Sequence, residues 1–163
     1  MMNGTMMITV KVSDAQVSAD PGETLVTHSL GSCIGVMIYD PVRRCGGLLH
    51  YQLPTSTLDA AKALAFPHMV ADTGMRELLR AFEDRGGQRR HSRVRIAGAA
   101  EMFDDKGVFS IGKRNHSAIR KILWQLGLLL AAEDVGGVTP RTVYFRIADG
   151  AVTIKAGAAT REL

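Results

Sequence analysis

The residues best equipped for chemistry are Cys33 and His50, together with the hydroxyls and glycine of Thr27-His28-Ser29-Leu30-Gly31-Ser32 that lead into the cysteine. The thiolate is the reactive form of cysteine, and a neighbouring imidazole can take the thiol proton and then, as imidazolium, stabilise the anion. This pair suits nucleophilic attack on an acyl carbon, with Cys33 as nucleophile and His50 as base. Such a pair is expected to make Cys33 alkylate quickly near neutral pH. A catalytic imidazole also needs a third group to hold its tautomer. On a strand, Thr27 and Ser29 share one face and His28 takes the other, so either hydroxyl residue is a candidate. Gly31-Ser32-Cys33 reads as a tight turn whose backbone N–H groups can hold a developing oxyanion, with Gly31 letting the backbone approach substrate closely.

The elements around these residues must bring them together. β-type runs are expected at 7–12, 24–29, 33–39 and 45–51, each bounded by Gly, Asp or Pro. A turn over Asp40-Pro41-Val42-Arg43, centred between Pro41 and Val42, would pair Cys33 directly with His50. Opposed residues on an antiparallel pair have Cβ atoms about 4.5 to 5.5 Å apart. Helical periodicity with Pro67 in the first turn predicts a helix over 67–82, and a second opens near Asn115 and stops at Gly127. Further strands are expected at 94–97, 128–132, 142–147 and 151–155, with Asp149-Gly150 as a hairpin turn. Hairpins mixed with two packing helices indicate an α/β fold: a layered sandwich of mainly antiparallel or mixed β-sheets flanked by α-helices, as a single domain over 1–163.

Competing chemistries fit the same residues less well. A cysteine in a β-rich run can be simply a small buried hydrophobe. Cys33, Cys45 and His50 carry zinc-ligand side chains, but the odd spacing of Cys45 and His50 turns them to opposite faces of a strand, which disfavours a metal centre. The same register argues against a Cys33–Cys45 disulfide. Gly31-Ser32-Cys33-Ile34-Gly35 lacks the lysine of a nucleotide-binding loop. No cofactor is expected.

Composition narrows the class further. The 163 residues are 46% hydrophobic and 22% charged, enough apolar material for a packed core. Two cysteines suit a reducing compartment, no leader is evident, and no apolar run is long enough to cross a bilayer, so a cytoplasmic location is expected. The net charge of +4 is concentrated in the arginines between Arg85 and Arg95. Without interleaved aromatics, that stretch reads as a solvated connection and not as a nucleic-acid site.

The blocks Leu30-Gly-Ser-Cys-Ile-Gly-Val36, Tyr39-Asp-Pro41, Gly46-Gly-Leu-Leu-His-Tyr-Gln-Leu-Pro54, Ala97-Gly-Ala-Ala-Glu-Met-Phe103, Ile111-Gly-Lys-Arg-Asn115 and Ala132-Glu-Asp-Val-Gly-Gly137 occur in order. Together they resemble the CheD family, the bacterial chemoreceptor glutamine deamidases. The resemblance implies that Cys33, His50 and Thr27 are the catalytic residues, which selects Thr27 over Ser29. It also implies hydrolysis of glutamine side-chain amides on methyl-accepting receptor helices through a cysteine thioester, with scope for limited methylesterase activity. A CheC-type phosphatase is the partner it implies. The alternative is a noncatalytic chemotaxis adaptor that binds such a phosphatase or a response regulator. Cys45 stands where the family commonly has another residue, and 56–66 matches its pattern poorly.

Overall fold

The computed structural model describes residues 5–101 and 110–163, so Met102 and Phe103 of one resemblance block lie outside the described residues. Ten strands in the described residues form two five-stranded mixed sheets. The first contains β1 (Met6–Thr9), β3 (Glu23–Leu30), β8 (Arg141–Arg146), β9 (Val152–Ala156) and β10 (Ala159–Glu162), in that order. The second runs β2 (Asp14–Ser18), β5 (Cys45–Tyr51), β4 (Ile34–Asp40), β6 (Arg93–Gly98) and β7 (Leu129–Val135). β1 with β3 and β6 with β7 are parallel, and the other pairs are antiparallel.

β4 and β5 are apolar on both faces because both faces are covered. Ile34, Val36, Ile38, Cys45, Leu49 and Tyr51 pack toward α2 (Ala71–Asp84) and α3 (Ile111–Gln125), against Met75, Leu78, Phe82, Ile119 and Leu123. On the other face Met37 and Leu48 meet Leu25, Leu30, Val143 and Phe145 of the first sheet. The layers are therefore sheet, sheet and helices. Gly46 makes the sheet-to-sheet approach possible: a Cβ there would lie 2.9 Å from the Phe145 ring. Among the described residues, no helix is long and apolar enough to cross a membrane.

The turn joining β4 to β5 decides the register of the site. Asp40 is fully buried and accepts the backbone N–H groups of Val42, Arg43 and Gln88. Burial opposes its charge, but these N–H groups outweigh burial and hold the carboxyl below its ordinary range. The loop occupies Pro41–Arg44, with Arg44 in the left-handed region at φ 52°, and closes on the pair Asp40–Cys45. It is two residues longer than the turn expected over Asp40–Arg43.

Several boundaries differ from the sequence expectation. Pro67–Met69 forms a separate 3-10 turn, and Val70 is extended and bridges Leu53, so α2 begins at Ala71. α3 begins at Ile111 and carries Asn115 within it as a buried residue. β2, β10 and the short helix α1 (Ala60–Ala65) were not anticipated; all three are short and lack a strong apolar period.

Candidate active site between the sheets

His50 enters from β5, on the same face as Leu48, and Thr27 enters from β3 in the facing sheet. Both are buried. Their side chains meet across the interface, with Thr27 Oγ1 and His50 Nδ1 2.7 Å apart. The direction of this bond follows from the neighbouring one. Thr27 has a single hydroxyl proton and donates it to the Val10 carbonyl at 2.8 Å. Thr27 Oγ1 must therefore accept from Nδ1–H, which leaves the lone pair of the neutral ring on Nε2. Nε2 is buried and has no hydrogen-bond partner among the described residues. An imidazole held in this tautomer is equipped to take a proton at Nε2.

The direct pairing of Cys33 with His50 is corrected by the longer loop. Residue 50 pairs with Gly35, and Ile34 pairs with Tyr51. Cys33 lies just before β4, at the end of the bend formed by Gly31, Ser32 and Cys33, on the diagonal from His50 instead of opposite it. It packs on the inter-sheet cluster, the side that His50 occupies, whereas Cys45 packs on the helix-side cluster. Gly35 is useful opposite the imidazole, because a Cβ there would come within 3.0 Å of Leu30 Cδ1 and 3.6 Å of Thr27 Cγ2. The crowded neighbour is Leu30, whereas Thr27 would stay at an ordinary contact distance.

Ser29 does not share a face with Thr27. The register of β3 against β8 shifts between Thr27 and Leu30, and Ser29 adopts φ 55° in that bulge, leaving it and His28 exposed. A bulge inserts a residue and breaks strand alternation, so a strict period of two assigns the wrong face here.

Burial sets the resting protonation. It pushes the Cys33 thiol up from its ordinary value, only partly offset by the cysteine's own backbone N–H. It lowers His50 to about 4. Both directions favour a neutral thiol beside a neutral imidazole in the resting site. The arrangement fits a base that receives the proton as attack proceeds.

The cysteine turn is clamped from two sides. The N–H groups of Ala99 and Ala100 donate to the carbonyls of Cys33 and Gly31 at 2.9 and 2.8 Å. Gly98, at φ 120°, makes the first contact possible: a Cβ there would lie 2.1 Å from the Cys33 oxygen. The Gly98 carbonyl is in turn held by Arg141 and by the Gly136 N–H. From the helix side, Asn115 Nδ2 donates to the Ser32 carbonyl. Sequence reasoning placed Asn115 and Gly98 in blocks without giving either a task; the glycine's position at a strand end was the available signal for a close backbone approach. Among the described residues, no group of three or more His, Cys, Asp and Glu side chains converges as a cation site.

The model of a family described as CheD chemotactic sensory transduction matches residues 52–156. A protein of Solibacter usitatus named a probable chemoreceptor glutamine deamidase CheD is 47% identical over 156 residues, covering 96% of this chain and 92% of its own. The chain belongs to the CheD family. A second CheD protein, from Syntrophus aciditrophicus, named probable chemoreceptor glutamine deamidase CheD 1, is 45% identical across 96% of this chain and 98% of its own length. A similarly named CheD protein of Clostridium novyi is 37% identical across 91% of both. The first of these CheD alignments is long enough to run across positions 27, 33 and 50 of this chain.

Proposed function

We propose that this chain is a cysteine-dependent protein-glutamine deamidase acting on chemoreceptor helices. The observation that carries the reading is the tautomer lock: Thr27 accepts from Nδ1–H of His50, leaving the lone pair on a buried Nε2 that has no partner among the described residues, on the face of β5 where Cys33 also packs. The printed names of the CheD relatives support the substrate class.

In this mechanism Cys33 Sγ attacks the carbon of a glutamine side-chain amide while its proton passes to His50 Nε2. The backbone N–H of Cys33, in the Gly31-Ser32-Cys33 bend, is the group that would hold the oxyanion. The protonated imidazole returns its proton to the amide nitrogen, the C–N bond breaks and ammonia leaves. A water molecule then gives a proton to Nε2 and attacks the thioester, releasing glutamate and restoring the thiol. A methyl ester presents the same acyl carbon, so limited methylesterase activity belongs to the same reading. Each turnover puts a negative charge where a neutral amide stood, altering the electrostatics between receptor helices.

A cytoplasmic location and a CheC-type phosphatase partner complete the proposal, both supported by membership of the CheD family. Incubating a receptor cytoplasmic fragment with the protein and mapping glutamine-to-glutamate conversion tests it. The noncatalytic adaptor predicts binding without conversion.

A further inference from the structure

Asn115 is buried in the helical layer, yet its hydrogen bonds end on both halves of the candidate site. Nδ2 donates to the Ser32 carbonyl at 2.9 Å and to the Gln52 carbonyl at 2.8 Å. Ser32 precedes Cys33, and Gln52 lies two residues beyond His50 on the same chain segment. The backbone carbonyl of Asn115 also accepts the Tyr51 hydroxyl at 2.6 Å. One helical residue is thus tied to Ser32, Tyr51 and Gln52, the flanks of both the thiol and the imidazole.

The chemistry of the two acceptors fixes the side chain. Both are carbonyl oxygens, so the atom between them must offer two protons, and a primary amide nitrogen does so without charge. The opposite amide orientation would set Oδ1 against two carbonyls. Oδ1 instead lies buried without a partner among the described residues, a cost accepted at the other end of the amide. Gly112 lets α3 seat closely enough for this contact, since a Cβ there would lie 2.9 Å from the Ala99 carbonyl.

We infer that Asn115 is a positioning residue for the deamidation reaction, holding the Cys33 turn and the His50 strand at a fixed separation so that sulfur and Nε2 serve the same substrate carbon. This rests on the deamidase reading. The bend before β4 is not part of a strand pair with β5, so the Asn115 amide supplies a cross-link where the ladder has ended. Small displacements between nucleophile and base carry large rate penalties.

Single-turnover deamidation of a receptor fragment by wild type, Asn115→Ala, Thr27→Ala and the double variant tests the inference. Asn115→Ala should lower the rate about 10- to 100-fold with receptor affinity unchanged, as for other residues that orient a reacting group. Together with Thr27→Ala the loss should be smaller than the product of the two single losses, because both act on one alignment. An unchanged rate, a loss confined to affinity, or fully multiplicative losses would overturn it. Asn115→Ser carries the same comparison if the alanine variant does not fold. In the unaltered protein, both side-chain amide protons of Asn115 should exchange slowly with solvent by nitrogen-edited NMR, and rapid exchange would also overturn the clamp. Absence of wild-type turnover would instead count against the deamidase reading, and the exchange measurement judges the clamp independently.

Discussion

Thr27 and His50 face each other from different sheets and share one hydrogen bond, Oγ1 to Nδ1 at 2.7 Å, whose direction is dictated by the bond from Thr27 to the Val10 carbonyl. The layering of the fold is therefore part of the candidate chemistry.

Thr27→Ala should be milder than His50→Ala. Removing the hydroxyl leaves a base present but free to change tautomer, a loss of roughly 10- to 100-fold, whereas removing the imidazole eliminates both proton transfers, on the order of 10²- to 10⁴-fold. Thr27→Ser should keep most activity. Single-turnover deamidation with folding checked by circular dichroism makes the comparison, and a larger loss from Thr27→Ala would contradict the orienting role.

The acid behaviour of His50 has a defined sign. Its folded value is lowered to about 4 from an ordinary 6.5 by burial, so the unfolded chain binds the proton more readily between those values. The stabilisation is complete above about pH 6.5 and is lost as pH falls toward 4, amounting to on the order of 3 kcal/mol. Denaturant titrations at several pH values should show this slope, and His50→Gln should flatten it. The acid limb of the deamidation rate should correspondingly lie well below pH 6.

The two thiols should differ by access and role more than by acidity. Burial raises both above the ordinary thiol value. Cys33 is partly exposed and Cys45 is buried, its Sγ near the Phe82 carbonyl. Iodoacetamide should label Cys33 before Cys45, with a rate that rises toward alkaline pH and no burst at neutrality. Cys45→Ala should cost about 1 kcal/mol of stability for the small cavity it leaves and retain most activity.

Much of the fold was readable because its strongest signals are local. β4 and β5 are continuous apolar runs, and the apolar stripe of α2 is regular. Cys33, His50 and Thr27 were singled out by residue type and by the CheD resemblance. Register was not readable: the Asp40 carboxylate and the left-handed Arg44 lengthen a loop that looks from Pro41 like a tighter turn. The bulge at Ser29 likewise has no marker in its residue type. Asn115 escaped notice because its partners are backbone carbonyls far away in sequence.

Gly98→Ala should disable the protein more than any change on its surface. The new Cβ would overlap the Cys33 carbonyl, a backbone atom that cannot move aside without moving the Cys33 side chain, and φ 120° is strained for alanine. Activity should fall sharply and thermal stability should drop together with it. A fully active and equally stable Gly98→Ala protein would mean that the Cys33 turn is not held as described.

The most direct measurement is mass spectrometry of a receptor cytoplasmic fragment after incubation with wild type and with Cys33→Ala. Wild type should convert specific glutamines to glutamate, and Cys33→Ala, folded as judged by circular dichroism, should convert none. Conversion by Cys33→Ala at the wild-type rate, or no conversion by wild type of any receptor fragment it binds, would contradict the account.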